Sequence, residues 1–202
     1  MSIENDTYLS IEKASTGEFK DRGSKFIGFA FPVSSEDEVK ECLAEVKKLH
    51  PTAGHVCYAF RINPLNEYYR TNDDGEPSST AGKPILGQIR SMNLQNILVA
   101  VVRYFGGTLL GVSGLINAYK ETAAIALKEA TLIEKQITVT FQLNVDYIKM
   151  GEVMKWIKES KFEYSTPLMG DTFMVSIDVP YSKHLSLKNY LKEKGWLTES
   201  SK

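Results

Sequence analysis

The sequence has little of what marks several common protein classes. Its only cysteines are Cys42 and Cys57, which form no CxxC motif, so we expect two free, mostly buried thiols instead of a disulfide. No apolar run approaches the ~20 residues that a membrane-spanning helix needs. The first residues, MSIENDTYLSIEK, lack the basic and apolar regions of a signal peptide. We therefore expect a cytoplasmic protein with no membrane partner.

An excess of either charge is also absent. The chain has 24 Lys and Arg against 25 Asp and Glu, a net charge of −1. This balance excludes the overall basic field that marks many nucleic-acid-binding proteins. What is present is an ordinary globular composition, 43% hydrophobic over 202 residues. A packed core in one large or two small domains is expected.

The first part of the chain, to about residue 133, is predicted to mix strands and helices. Strands are indicated on both sides of the turn at Asp21–Gly23 and over the alternating segment GHVCYAFRI. Helices are predicted over residues 34–51, over ILGQIRSM, and over residues 113–133 with Ser113 as cap. The continuous apolar run NILVAVVRYF indicates a strand buried on both faces.

A second, smaller unit is predicted to follow. Its apolar spacing indicates the order β-α-β-β-α, which is that of a small split-βαβ sandwich. The last strand of such a sandwich is either supplied by WLTES or missing. The sequence thus indicates an α+β protein of two domains, residues 1–133 and 134–202.

The segment RTNDDGEPSSTAGKPILGQI invites comparison with a phosphate-binding loop. A Walker P-loop is excluded, because six residues separate Gly75 from Gly82 and Pro84 follows Lys83 where Ser or Thr is required. A different anion nest stays open. The N–H groups of the small residues 78–82 could surround an anion, with Lys83 as the positive charge.

The same segment contains three carboxylates that could bind a metal ion. The strand predicted before it contains a cysteine. Asp73, Asp74 and Glu76 could hold one hard cation, but the spacing of an EF-hand is absent and an acidic turn is the simpler interpretation. Cys57 and His55 alternate onto one face of a strand, about 7 Å apart at Cα, which is loose for a nucleophile and its base. A packed cysteine beside a structural histidine is favoured.

The segment VVRYFGGTLLGVSGLINAY has four glycines within nine positions. Such a density indicates unusual backbone angles or the close approach of a ligand or another chain. From Pro77 to Lys120 there is no Asp or Glu, while Lys83, Arg90, Arg103 and Lys120 are basic. Arginine beside aromatic residues suits phosphate contact and base stacking. Equally, Arg103 could pair with the acids of NDDGE.

Two motifs in this order, DDGEPSSTAGKPIL and VVRYFGGTLLGVSGLINAY, closely resemble the signature of the Impact family, the YigZ-like bacterial proteins and their eukaryotic relatives. The resemblance extends through KDRGSKFIGFAFPV and HVCYAF and covers nearly the whole chain. It implies a first domain like the second domain of a small-subunit ribosomal protein and a ferredoxin-like second domain. Ser79 stands where glycine is common in the family, which weakens the need for a positive φ there.

The resemblance also implies a function and a binding surface. Both fold relatives work on the ribosome, and eukaryotic members restrain a stress kinase, although that role is not carried over to this chain. No catalytic residue, metal site or cofactor is expected. The residues transferred by motif, or chosen for charge beside it, are expected to form a binding face: Lys25, His55, Arg70, Asp73, Asp74, Glu76, Thr80, Lys83, Arg103, Tyr104, Gly106, Gly107 and Tyr119.

Two functional hypotheses follow. The first is a non-enzymatic protein that contacts RNA, the ribosome or a translation-associated protein through Lys83 and Arg103. The alternative is a nucleotide-dependent regulator or phosphate-handling enzyme, with phosphates on GGTLLGVSGL and with Asp74 or Glu76 binding magnesium or acting as base. The oligomeric state is left open.

Overall fold

A computed structural model describes residues 6–165, 168–170 and 172–197. The chain divides into two compact units. One runs from Tyr8 to Lys135, and the other takes in the described residues from Gln136 on together with Asp6 and Thr7. The division falls two residues after the predicted domain boundary. The assignment of these two segments as domains stays a prediction.

The N-terminal unit is a five-stranded sheet with helices on both faces and a separate two-stranded ribbon. Its elements are β1 (Thr7–Ile11), β2 (Ser15–Asp21), β3 (Ser24–Pro32), α1 (Glu36–Leu49), β4 (His55–Ile62), β5 (Tyr68–Asn72), α2 (Gly82–Ser91), β6 (Ile97–Tyr104), α3 (Gly111–Lys128) and β7 (Leu132–Gln136). The predicted mixed α and β fold is confirmed.

The sheet has the order β2-β3-β6-β4-β5, and every neighbouring pair is antiparallel. Because β3 and β4 both run antiparallel to β6, they run parallel to each other and α1 connects them across β6. Strand β6 lies at the centre and is buried along Ile97–Arg103, as predicted. Its two faces contact different helices: Val99 and Val101 join the core under α2 and α3, and Val102 the core under α1.

Helix α1 begins at a side-chain cap, whereas helix α3 does not. Helix α1 is capped by Ser35, whose hydroxyl accepts the N–H of Glu38 at 3.2 Å. Helix α3 begins two residues earlier than predicted, and Ser113 is not its cap, because no side chain caps it. Its predicted inner stripe of Leu115, Tyr119, Thr122 and Ala126 is buried. The end of that predicted helix is instead strand β7.

The C-terminal unit places two helices beside an antiparallel sheet. Its elements are β8 (Thr138–Val145), α4 (Met150–Ser160), β9 (Glu163–Tyr164), β10 (Leu168–Met169), β11 (Phe173–Pro180) and α5 (His184–Glu193). Strand β11 pairs with β8 on one side and with both short strands β9 and β10 on the other. The predicted order β-α-β-β-α differs from the structure in one respect: three strands lie between the two helices, because the short strands β9 and β10 stand where one strand, FEYSTPL, was predicted.

Only the first two residues of the predicted last strand, WLTES, belong to the described part of the chain. Leu197 forms an isolated antiparallel bridge with Leu143 on β8, and the residues after Leu197 lie outside the described part of the chain. The ferredoxin-like assignment of this unit stays a prediction. Among the described residues, no helix combines the length and apolarity needed to cross a bilayer.

Candidate functional site

The loop between β5 and α2 folds around the carboxylate of Asp73. One oxygen of Asp73 accepts the N–H of Ser79 at 2.8 Å, and the other accepts those of Ala81 at 3.0 Å and Gly82 at 2.9 Å. Burial acts to raise the pKa of Asp73, but these three N–H groups and the charge of Lys83 bring the pKa below its usual value. The N–H groups that the sequence left open as an anion nest do converge, and the chain's own carboxylate occupies the site.

A tight turn holds this loop against the start of β4. Asp74 and Gly75 have positive φ angles of 43° and 86°, which the turn requires. The carboxylate of Asp74 accepts the N–H of Val56 at 2.7 Å. Nδ1 of His55 lies 2.7 Å from the carbonyl oxygen of Asp74. Asp74 therefore holds the start of β4 through one oxygen of its carboxylate.

Glu76 and Arg103 form a buried ion pair beneath the loop. Arg103 donates from Nη1 to Glu76 Oε1 at 2.6 Å, and the hydroxyl of Tyr119 donates to the same oxygen at 2.8 Å. The two charged side chains are only 7% and 3% exposed. The guanidinium also lies 5.6 Å from the ring centres of both Phe26 and Phe105. Of the two roles left open for Arg103, the structure shows the pairing with an acid of NDDGE, because the guanidinium is bound to Glu76 inside the fold.

Cys57 continues this buried cluster. Its Sγ lies 3.3 Å from the Tyr119 hydroxyl and 3.0 Å from the carbonyl oxygen of Asp73. Burial raises the pKa of Cys57 to about 12, and burial likewise raises the pKa of Tyr119. The thiol therefore stays protonated at neutral pH, and its geometry matches the packed cysteine that the sequence favoured over a nucleophile.

Several residues of the predicted binding face come together in this cluster, but as internal supports. They are His55, Asp73, Asp74, Glu76, Thr80, Arg103 and Tyr119. The hydroxyl of Thr80 donates to the carbonyl of Pro77 at 2.6 Å, and Thr80 is 1% exposed. Lys83, in the first turn of α2, is exposed.

Other predicted residues lie elsewhere. Tyr104 and Lys25 are cross-strand neighbours on the opposite face of the sheet from Arg103, because successive strand residues point to opposite faces. The Tyr104 hydroxyl lies 2.9 Å from Nδ1 of His50, and Lys25 pairs with Glu18 at 2.8 Å. Arg70 is exposed on the edge strand β5. The single binding face expected from the sequence is therefore divided.

The glycines after β6 serve chain packing. A Cβ at Gly106 would lie 1.9 Å from the carbonyl carbon of Gly23, in the turn between β2 and β3. The N–H of Gly106 also donates to Ser24 Oγ at 3.2 Å. Gly107 has a φ of 83°. Unusual backbone angles, one of the two explanations for the glycine density, therefore hold at Gly107, whereas Gly106 is packed against another part of the same chain.

The sequence contains a signal that Asp73 caps the start of helix α2. Helix α2 begins without a capping side chain of its own, and an Asp nine residues before its first residue can supply the missing acceptor.

The described residues include no group of three or more His, Cys, Asp or Glu arranged to hold a metal ion.

The fold and the buried Glu76–Arg103 cluster define an Impact-type N-terminal domain followed by a small α/β unit. The sequence profile of the Impact N-terminal domain matches residues 22–127. The IMPACT family member YvyE of Bacillus subtilis is 31% identical over 199 residues, which cover 96% of this chain and 86% of that protein. A second IMPACT family member, from Thermus thermophilus, is 36% identical over 157 residues, which cover 78% of this chain and 84% of that one. The chain belongs to the Impact family.

A solved structure shares the fold. The crystal structure of a hypothetical protein superposes with a TM-score of 0.76 at 24% identity. The match covers 97% of this chain and 99% of that chain. The similarity thus extends through both units.

Proposed function

We propose that this protein is a non-enzymatic binding protein linked to translation or the stress response. In the cytoplasm, its N-terminal unit would contact RNA, the ribosome or a translation-associated protein. One observation carries the proposal: the motif groups best suited to chemistry are engaged within the fold. Asp73 accepts three backbone N–H groups, Glu76 accepts Arg103 and Tyr119, and Cys57 is a buried thiol.

These contacts support a binding role because they make the loop rigid without leaving a reactive group. Catalysis would need a nucleophile, base or metal ligand free to meet a substrate. Lys83 and most of the segment after β6 remain exposed beside these internal contacts. The link to translation comes from the family, through the expectation that its fold relatives act on the ribosome. It is an inference by analogy.

The burial of Arg103 changes which residue should be tested. Removing Arg103 would leave the Glu76 carboxylate buried without its cation, so loss of binding and loss of folding could not be separated. Lys83 is exposed and serves better. Lys47, an exposed lysine in the last turn of α1, is a matched control.

The test is co-sedimentation with ribosomes and binding to structured RNA across a series of salt concentrations. We expect binding that weakens as salt rises. Lys83→Ala should reduce the affinity and lower the salt slope by about one if Lys83 contacts a phosphate. Lys47→Ala should behave as wild type. Absence of binding to both ribosomes and RNA at low salt would remove the proposed function in this form.

A further inference from the structure

An exposed apolar strip lies at the end of the Impact motif. It is formed by Phe105, Leu109, Val112 and Ile116, which are 59%, 82%, 60% and 39% exposed. The strip follows β6 directly and continues onto α3. Single exposed apolar residues are common on protein surfaces, but several along one short segment mark an interaction site.

The backbone fixes where this strip lies. Gly106 packs against Gly23, and Arg22 donates from Nη2 to the carbonyl of Leu110 at 3.3 Å. Phe105 and Leu109 are the chain neighbours of these two anchored residues, so both lie beside the turn between β2 and β3. Val112 and Ile116 continue from there at a spacing of four on one face of α3. Because Val112 and Ile116 lie seven and three residues before Tyr119, this face borders the buried stripe that contains Tyr119.

Two basic residues, Arg22 and Lys120, flank the strip, and Arg22 is paired with Asp21. No acidic residue occurs in the first turn of α3, so the positive end of the helix dipole is uncompensated there. Arg22 is half exposed at that end, with its Nε 3.6 Å from Asp21, and Lys120 is exposed one turn beyond Ile116. The strip therefore complements a partner whose apolar residues are flanked by acids.

We propose that this apolar strip is the docking site for an amphipathic helix of a translation-associated protein, with acidic residues beside its apolar face. The inference rests on the proposed function and names the class of partner. Three of the four side chains are aliphatic, whereas bases of single-stranded RNA stack on flat aromatic rings. The apolar spacing along α3 matches the way in which helices pack in grooves.

A displayed library of helical peptides tests the proposal. Each peptide keeps an apolar face, and its flanking positions vary among Glu, Lys and Ser. We expect selection on the full chain to enrich glutamate beside the apolar face. Leu109→Ser should weaken binding of an enriched peptide at least tenfold, or about 1.4 kcal/mol. Leu49→Ser is the matched control, because Leu49 is also exposed, at 62%, at the end of α1.

Three results would overturn the proposal. The first is enrichment of lysine, or no enrichment at all. The second is peptide binding that Leu109→Ser leaves unchanged. The third is evidence for another occupant. Protection of residues 105–116 from hydrogen exchange by single-stranded RNA would assign the strip to RNA. Concentration-dependent self-association that Leu109→Ser abolishes would assign it to a second copy of the chain.

The same variant separates this inference from the proposed function. If wild type sediments with ribosomes and Leu109→Ser leaves binding of the enriched peptide unchanged, the proposed function stands and the docking site is wrong. If wild type fails to sediment with ribosomes and does not bind RNA, the proposed function itself fails. Circular dichroism and thermal melting check that Leu109→Ser is folded, which is expected because its side chain is 82% exposed.

Discussion

At the scale of single residues, most polar groups of the motif have a partner within the fold, although Nε of Arg103 is buried without one. Glu76 is the centre, since it accepts hydrogen bonds from Arg103 and Tyr119 in a site that is almost closed to water. A buried charge with its partner removed is costly, whereas removal of both partners often is not. The Impact motif residues at these positions are therefore explained by folding as much as by recognition.

We expect Arg103→Met to lower the free energy of unfolding by about 3–5 kcal/mol, because it leaves the Glu76 carboxylate buried and uncompensated. The double variant Arg103→Met/Glu76→Gln should lose clearly less than the sum of the two single changes. Urea denaturation of all three variants measures this. Lys40→Met, at an exposed pair with Asp37, should leave the midpoint unchanged. Additive single changes would contradict a coupled pair.

Ser79 corrects an expectation. The serine at this position had weakened the need for a left-handed backbone, yet Ser79 has a φ of 67°. A left-handed residue that is not glycine costs about 1–2 kcal/mol, and glycine gives back about 0.4–1 kcal/mol through the unfolded chain. The positive φ lets the N–H of Ser79 reach Asp73.

We therefore expect Ser79→Gly to raise the free energy of unfolding by about 0.5 kcal/mol. Ser78→Gly is its control: Ser78 is exposed and has no positive φ, so glycine there should lower stability by about 0.5–1 kcal/mol. Thermal melting of both variants beside wild type measures whether the two changes in stability have opposite signs. Equal destabilisation by both changes would mean that the backbone at residue 79 is not strained.

At the scale of elements, the turn between β2 and β3 and the loop after β6 approach each other as closely as backbone allows. Gly106 touches Gly23 at a distance where no Cβ fits. This contact holds the start of α3 against the sheet. Helix α2 offers a contrast, because Gly87 within it has open space around its Cα.

Gly106→Ala should be strongly destabilising, by about 2–3 kcal/mol or more, because the two backbones must separate. Gly87→Ala should raise stability by up to about 1 kcal/mol through helix propensity. Urea unfolding measures both. Hydrogen exchange should show that Gly106→Ala loosens the loop and the first turn of α3. If Gly106→Ala melts at the wild-type temperature, the close contact is not required.

Local periodicity decided which elements could be predicted. Strand β6 and the inner stripe of α3 were evident because their patterns are carried by neighbouring residues. Strand β5 was missed because it is a mostly exposed edge strand with no apolar alternation. The separation of Arg103 from Tyr104 follows from strand alternation and could have been anticipated. The contacts of Asp73 could only be suspected, since they depend on how the nine-residue loop between β5 and α2 closes.

At the scale of the whole molecule, the free energy of unfolding should depend on pH through the carboxylates that are bonded within the fold. A carboxyl whose pKa is lower in the folded than in the unfolded state stabilises the fold at pH values above its unfolded pKa, about 3.9 for Asp. That contribution is lost as the pH falls through the lower folded pKa. Asp73 has such a lowered pKa.

Asp73→Asn should therefore lower the free energy of unfolding by about 2 kcal/mol at pH 7, by analogy with the loss of a helix cap. The difference from wild type should shrink as the pH falls below about 4, where Asp73 also becomes neutral. Urea unfolding of both proteins from pH 7 to pH 2.5 tests this. A difference that stays constant over the whole range would mean that the charge of Asp73 contributes nothing.

The whole protein should also be insensitive to nucleotides. Asp74 and Glu76, which the alternative hypothesis assigned to magnesium, are both engaged within the fold. We expect no rise in melting temperature with millimolar ATP or GTP and magnesium. A ligand at 100 times its Kd would add about 2.7 kcal/mol, so binding would be visible. A clear rise would favour the nucleotide-dependent alternative over the binding protein proposed above.

The carboxylate of Asp73 acts on its loop as a tethered competitor. It is joined to its N–H donors through the six to nine residues that separate it from Ser79, Ala81 and Gly82. A short tether of this kind gives an effective concentration in the millimolar range or above. Free phosphate must exceed that figure to occupy the nest. Asp73→Ala would vacate it, so sulfate or phosphate should restore stability to that variant alone, turning a structural loop into an anion receptor by one substitution.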